Sequence, residues 1–403
     1  MLIEILICLI IGIVLGIFTG LTPGIHINLV STLILTISPM LLTKTTPLSL
    51  AIIILAMAVT HTFLDFIPSV YLGAPDPDTT LTILPAHRML IDGKGYEAVK
   101  ISIIGSLAGL ILTILSLPVI IIIINLIYET LNNNIAYILI VISIVLIFKN
   151  KNRLTALLLF LLSGTLGMVT LNIHAENTLF PLLSGLFGTS MLLLSLKDNT
   201  KIPKQQITHS KIKLDFFAQT MFSSLSFSTL AGFLPGLGAS QTAIISSTFI
   251  KKSDPKLFIL LIGSINTIVM VISFIALYLI NKSRNGAVIV ISEILQEFTK
   301  KDMFIFLSCI LIAGGIASIL GLYLAGKFSN LIEKVNYKAL CIGIIIFITI
   351  LTPMLSGPIG ILILVVSTAL GALPPLLDTE RNYDGLPDYT HNFIFPVITQ
   401  TFK

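Results

Sequence analysis

The chain alternates long apolar runs with short polar breaks, and within most runs the apolar residues are continuous rather than confined to one helix face. A membrane-spanning helix needs about 20 such residues, and shorter or interrupted runs suit re-entrant or broken segments. Long runs occur at 48–66, 101–127, 154–171, 179–196, 256–281, 303–326 and 358–377. Shorter or interrupted ones lie at 2–18, 25–42, 67–85, 135–148, 215–232, 239–250, 339–352 and 391–399. The pattern predicts an all-α polytopic membrane protein with about ten to twelve transmembrane or re-entrant helices. The first run resembles a signal peptide in length. However, Glu4 stands where a basic segment would be and no A-x-A cleavage site follows, so it is read as a retained helix.

Composition narrows the class. Of 403 residues, 55% are hydrophobic and 11% charged, against about a quarter charged in a soluble domain. A soluble chain of this length would split into domains with polar surfaces, and there is too little charge to cover them. Soluble enzymes, disordered proteins and disulfide scaffolds are excluded. So are nucleic-acid binders, because the net charge of +5 resides in short loops between apolar runs, the pattern of orientation signals and anionic-lipid contacts. Cys8, Cys309 and Cys341 all lie inside apolar stretches without disulfide or zinc spacing and read as small buried hydrophobes.

One loop divides the chain. Residues 197–213 carry Lys197, Lys201, Lys204, Lys211 and Lys213 against Asp198 alone, which predicts a basic cytoplasmic linker between a first transmembrane half, 1–196, and a second, 214–403. The loops bearing Arg88, Lys94 and Lys100, and Lys251, Lys252 and Lys256, fit the same side. An internal repeat accompanies the division. Gly12, Gly16, Gly20, Pro23 and Gly24 recur as Ser224, Ser228, Gly232, Pro235 and Gly236, each offset by 212. Small residues four apart let helices approach closely in lipid. Interrupted helices at matching places in two halves mark a transporter's substrate site.

Each stripe runs into a Pro-Gly element, Thr22-Pro23-Gly24-Ile25-His26-Ile27-Asn28 and Leu234-Pro235-Gly236-Leu237-Gly238-Ala239-Ser240-Gln241-Thr242. Pro and Gly end the preceding helix, and the restarting helix offers unpaired N–H groups and the positive end of its dipole. Such groups must face protein, water or ligand inside a membrane, and a carboxylate is a natural partner. The substrate-binding candidates are Pro23, Gly24, His26 and Asn28 in the first element, and Pro235, Gly236, Gly238, Ser240, Gln241 and Thr242 in the second. The plainer alternative is a pair of kinked helices whose polar groups bond one another.

Ionisable residues at membrane depth are costly and are functional candidates by default. His61 and Asp65 end a long apolar run, where Asp65 either holds a coupling cation or proton, or is solvated at the interface. Asn266 and Thr267 lie in the corresponding run of the second half and suit sodium ligation or bonds between helices. Asp76 and Asp78 flank Pro77 as cavity-lining groups or as an acidic turn. These six are the ion-coupling candidates. No resident metal or cofactor is expected, Na+ entering as a coupling ion.

The element at 232–240, its partner at 20–26 and the block Gly73-Ala74-Pro75-Asp76-Pro77-Asp78-Thr79-Thr80 resemble the large permease subunit of tripartite tricarboxylate transporters, in particular the shorter archaeal, uncharacterised transmembrane branch. Leu84-Pro85-Ala86-His87-Arg88-Met89-Leu90, Asp92-Gly93-Lys94-Gly95-Tyr96-Glu97-Ala98, Gly357-Pro358-Ile359-Gly360 and Ala372-Leu373-Pro374-Pro375 extend the likeness along nearly the whole chain. The first element departs from the family's glycine-rich form by reading Pro-Gly-Ile-His. The resemblance implies secondary transport of small carboxylates, usually sodium-coupled, with a small membrane subunit and an extracytoplasmic binding protein as partners.

The expected function is therefore a secondary active transporter in the cell membrane, moving a di- or tricarboxylate with Na+ or H+. The competing class is an intramembrane enzyme acting on lipid-linked phosphates. There Asp76, Asp78 and Asp92 would hold Mg2+, with His87 and Arg88 on the leaving group. Against it, the paired Pro-Gly elements would have no assigned task. No phosphate-binding G-x-x-x-x-G-K-[ST], H-E-x-x-H or G-x-S-x-G sequence occurs in the chain.

Overall fold

A computed structural model describes residues 2–22, 27–72, 83–149, 153–173, 178–197, 203–207, 212–233, 238–250, 254–283, 285–332 and 337–377, and every regular element within them is helical. Seven of these helices are long and apolar enough to cross a membrane, which makes the protein all-α and polytopic. Shorter helices lie between them.

The chain opens with α1 (Leu2–Leu21), α2 (Ile27–Leu41) and α3 (Pro47–Leu64), the last continued past Asp65 by α4 (Phe66–Tyr71). After α5 (Ile83–Ile91) comes α6 (Gly95–Lys149), a single helix where two runs are expected at 101–127 and 135–148. The polar gap, Glu129 to Asn134, contains neither Pro nor Gly, and Asn134 bonds back to the Thr130 carbonyl at 2.8 Å. Polarity alone does not stop a helix. The chain continues with α7 (Arg153–Asn172), then α8 (Leu179–Leu183), a π-helical turn (Ser184–Thr189) and α9 (Ser190–Lys197).

The second half of the sequence begins with α10 (Leu214–Phe233), α11 (Ala239–Ser247) and α12 (Pro255–Ile280), followed by α13 (Gly286–Leu295), α14 (Lys300–Ile332) and α15 (Tyr337–Leu377). α1 and α10 are both 20 residues long and start 212 residues apart, and α2 and α11 restart at the same offset. α3 and α12 start alike. Thr46 accepts the Ser49 N–H at 3.2 Å and Asp254 the Lys256 N–H at 2.9 Å, each before a proline at the first helical position.

α3 and α12 form the centre, and nearly all of each is buried. α1 lies along α3 through its small-residue stripe. A Cβ at Gly12 would stand 2.7 Å from Ala56 Cβ, one at Gly16 2.7 Å from the Met57 carbonyl, and one at Gly20 2.9 Å from Leu64 Cβ. The opposite face of α1 presents Leu6, Ile10, Val14 and Phe18 outward, as a lipid-facing surface requires. α10 repeats the arrangement on α12. Ser224 meets Ser264 in a 2.6 Å hydroxyl bond, and a Cβ at Gly232 would stand 2.7 Å from Ile272 Cβ.

The pairings fix relative direction. α1 residues 12, 16 and 20 meet ascending positions on α3, so these two helices run parallel, and α10 runs parallel to α12 by the same test. α6 also rises with α12, Glu97 reaching Lys256 and Gly109 reaching Ile268. Across the centre the order reverses, since Thr62 meets Thr267 while Asp65 meets Asn266. α3 and α12 are therefore antiparallel. α14 runs with α3, its Gly314 beside Phe63 and its Ala325 carbonyl receiving the Tyr71 hydroxyl at 3.1 Å. α8, the π turn and α9 pack against α15, which bends at Gly357, a residue with φ 67° and ψ −174°. That bend falls between the expected runs 339–352 and 358–377.

Candidate functional site

The polar groups of the interior concentrate where α3 crosses α12. His61, Asp65, Asn266 and Thr267 are each at most 3% exposed, and the structure brings all four together. Asn266 Nδ2 donates to Asp65 Oδ2 at 2.8 Å, and Thr267 Oγ1 donates to Thr62 Oγ1 at 3.2 Å. His61 lies one helical turn before Asp65, its Nε2 4.0 Å from Asp65 Oδ2. Asp65 is thus packed in the interior, joined to the other half of the chain, rather than solvated at an interface.

The helix itself is adapted at this point. Asp65 sits at the junction of α3 and α4, and its own carbonyl accepts the Ser69 hydroxyl at 2.8 Å. Thr19, from the small-residue stripe of α1, stands 3.1 Å from His61 Nδ1 and donates its hydroxyl proton to the Gly16 carbonyl at 3.3 Å. The Nε2 side of the ring is turned toward the carboxylate. Thr19 and Thr62 are site residues that the sequence reading leaves out. The signal for Thr19 is its place beside Gly20 in the packing stripe, and for Thr62 its place between His61 and Asp65.

The helix breaks flank this crossing. α1 ends at Leu21 and α2 restarts at Ile27, and α10 ends at Phe233 with α11 restarting at Ala239. Pro23, Gly24, His26, Pro235 and Gly236 lie outside the described residues, as do Asp76 and Asp78. Ser240 and Gln241 fall in the first turn of α11, and their side chains are also outside the described set. Thr242, 1% exposed, returns its hydroxyl to the Gly238 carbonyl at 2.7 Å. Asn28 Oδ1 accepts the Ala287 N–H at 3.2 Å, so this side chain helps cap α13 from across the molecule. Asn285 accepts the next free N–H, from Val288, at 2.9 Å. One helical turn into α2, Ser31 is fully buried, and its hydroxyl has no hydrogen-bond partner among the described residues.

A second polar assembly lies at the end of the molecule where α6 and α12 begin. Glu97, 2% exposed, pairs with Lys256 at 2.7 Å. Residues 203–207 of the central linker dock beside it. Gln205 accepts the Gly95 N–H at 2.9 Å and donates to the Leu90 carbonyl at 3.0 Å, while the Gln206 N–H reaches the Gly93 carbonyl at 2.8 Å. Gly93 has φ +77°, and a Cβ there would stand 2.9 Å from the Lys204 carbonyl, which accounts for both the turn and the close approach. Arg88 and Asp92 are exposed on this same turn.

Comparison with known proteins agrees with the site's membrane setting. A family model described as the Tripartite tricarboxylate transporter TctA family matches residues 6–383. An uncharacterised protein of Methanocaldococcus jannaschii is 34% identical over 300 residues, covering 73% of this chain and 74% of the relative. No solved structure matches.

Proposed function

We propose that this chain, which belongs to the tripartite tricarboxylate transporter TctA family, moves a small di- or tricarboxylate by secondary active transport coupled to Na+ or H+. Family membership makes it a transporter permease and a multi-pass protein of the cell membrane. Transporters of this family work with a small membrane subunit and a substrate-binding protein. For this chain those partners, the substrate and the coupling ion are our reading.

The observation that carries the reading is the pair of matched helix breaks beside a buried polar crossing. Breaks of this kind put helix N-termini, with their unsatisfied N–H groups, at membrane depth, where an anion is favoured. We assign the substrate carboxylates to the two restarts, with Pro23, Gly24, His26, Pro235, Gly236, Gly238, Ser240 and Gln241 around them. Asn28 and Thr242 hold the two elements in shape through their bonds to Ala287 and Gly238. Residues 1–196 and 214–403 act as two inverted halves joined by the linker 197–213.

The test is the thermal unfolding midpoint of the detergent-purified chain with citrate or succinate, each with and without Na+. A ligand that binds the folded state alone adds about 2.7 kcal/mol at a hundredfold excess over its Kd. We expect a rise with one carboxylate class, lost in Gly24→Val and Gly236→Val, where a side chain would occupy the approach to the helix ends. No rise with either carboxylate, and a rise with a polyprenyl phosphate plus Mg2+, would replace this reading with the enzyme.

A further inference from the structure

We infer that Ser31 of α2 is a substrate contact, its hydroxyl donating to a carboxylate oxygen of the ligand held where α2 begins. The inference deepens the transport reading and rests on it, since that reading places a carboxylate at this helix restart.

Hydroxyls inside the helices of this chain are commonly spent on the chain itself. Ser102 donates to the carbonyl three residues back at 2.8 Å, and Thr113, Thr220 and Thr242 donate to the carbonyl four back at 2.8, 2.7 and 2.7 Å. The equivalent acceptors for Ser31 are the carbonyls of Ile27 and Asn28, one turn earlier in the same helix. Ser31 uses neither. It has no other hydrogen-bond partner among the described residues, although it is fully buried. A buried hydroxyl left in this way forfeits its bonds to water without replacing them, which destabilises the folded chain. A ligand that accepts the proton removes that cost.

The placement of Ser31 indicates the acceptor. Side chains on a helix lean toward its N-terminus, so Ser31 stands over the first turn of α2. The N–H groups of that turn have no helical partners and form the positive end of the dipole. Ile27, Ser31, Ile34 and Ser38 make the buried face of α2, whereas Leu33, Ile37 and Met40 point outward. The hydroxyl therefore enters the protein interior and not the lipid. Asn28, the nearest polar side chain on the first turn, bonds the Ala287 N–H of α13. A carboxylate has about four lone-pair sites, enough to accept from the helix end and from a hydroxyl one turn on. Full burial suits this task, because a group that meets the ligand at the midplane is open to water only when the site faces one side or the other.

Other buried hydroxyls without partners lie in tight seams between helices. Thr60 packs on Gly16 between α1 and α3, and Ser367 on Gly185 between α15 and the π turn. Ser228 belongs to the small-residue stripe of α10, between Ser224 and Gly232, which both touch α12. Close approach of the helices accounts for these three. Ser31 adjoins a helix break instead. The 212-residue offset puts Ala243 at its place, α11 restarting at Ala239 as α2 restarts at Ile27. Ala243 is fully buried and has no hydroxyl to give. This contact therefore comes from the first half alone, and the two ends of a di- or tricarboxylate are held unequally.

The experiment is the thermal unfolding midpoint of the detergent-purified chain, titrated with citrate and with succinate in the wild type, Ser31→Ala, Ser31→Cys and Ser228→Ala. Without ligand, Ser31→Ala is expected to unfold at a higher temperature than the wild type, because alanine removes the unpartnered hydroxyl. With ligand, the concentration that gives half the shift is expected to rise about tenfold or more, as for loss of a hydrogen bond to a charged group. Ser31→Cys fills the same space with a weak donor and should bind as poorly as alanine, which a packing role would not require. Ser228→Ala also removes an unpartnered buried hydroxyl and should leave the titration unchanged. A wild type stabilised by a carboxylate, with Ser31→Ala responding at the same concentrations, overturns the contact and leaves the transport reading intact. So does a ligand-free Ser31→Ala that unfolds at a lower temperature than the wild type, which would give the hydroxyl a partner in the folded chain. A wild type that responds to neither carboxylate defeats the transport reading, and the contact falls with it.

Discussion

Close approach of α1 to α3 depends on the absence of a side chain at three successive turns. At Gly16 an added Cβ would strike Thr60 Cβ at 2.5 Å and the Met57 carbonyl at 2.7 Å, and neither atom can rotate away. Overpacking of this kind costs about 1–3 kcal/mol. Gly16→Ala is therefore expected to lower the thermal midpoint of the purified protein. Gly315→Ala provides the comparison, because nothing lies within 4 Å of a Cβ there, and it should leave the midpoint unchanged. Equal behaviour of the two variants would mean that the helices are held apart. The glycine stripe was legible in the sequence because its spacing of four is a geometric requirement with few other causes. The partners of His61 were not, since Thr19 lies 42 positions away and nothing in its own segment points to an imidazole. Asp65 and Asn266, 201 positions apart, were each recognisable as polar residues at membrane depth. Only the antiparallel crossing brings them into one bond.

Helix ends were more legible than helix continuity. Proline and glycine act locally, so the stops before Pro23 and Pro235 and the two runs on either side of Gly357 could be read directly from the chain. The polar stretch 129–134 looked like a break and is helical, because Asn and Thr side chains can satisfy the backbone that they interrupt. Gly357 holds φ 67° with ψ −174°, a region open essentially to glycine alone. Replacing it by alanine is expected to cost about 1–3 kcal/mol, although the space around it is empty. Gly343→Ala, also in open space but with ordinary helical geometry, separates backbone strain from crowding in the same unfolding assay. A different dependence governs α13, whose first N–H groups are met by Asn28 from the other half and by Asn285. Loss of a cap costs about 0.5–2 kcal/mol. Asn28→Ala should therefore destabilise the protein without carboxylate present, whereas a residue used only for substrate would show its effect only with ligand.

At the scale of the whole molecule, the helix directions form a closed and self-consistent set. α1 and α14 run with α3, α6 and α10 run with α12, and the two groups oppose each other. The starts of α3 and α6 must then lie on opposite faces of the membrane, whatever the orientation of the protein. Basic residues choose between the two orientations. Arg88, Lys94, Lys100 and Lys256 gather where α6 and α12 begin, and Lys204 of the linker docks at the same turn, so the positive-inside rule predicts that this face is the cytoplasmic one. Lys44, exposed before α3, is then expected on the outer face, together with Lys300 and Lys301 at the start of α14. Single cysteines replacing Lys44 and Lys94, in a background where Cys8, Cys309 and Cys341 are removed, test both statements in intact cells with a membrane-impermeant maleimide. Lys44→Cys is expected to react from outside, and Lys94→Cys only after the membrane is opened. The reverse result would keep the antiparallel crossing and turn the protein over. Labelling of both positions from the same side would contradict the antiparallel crossing of α3 and α12. It would also remove the basis for our proposal that two copies of one helix pattern, facing opposite ways, expose a site between them to each side in turn.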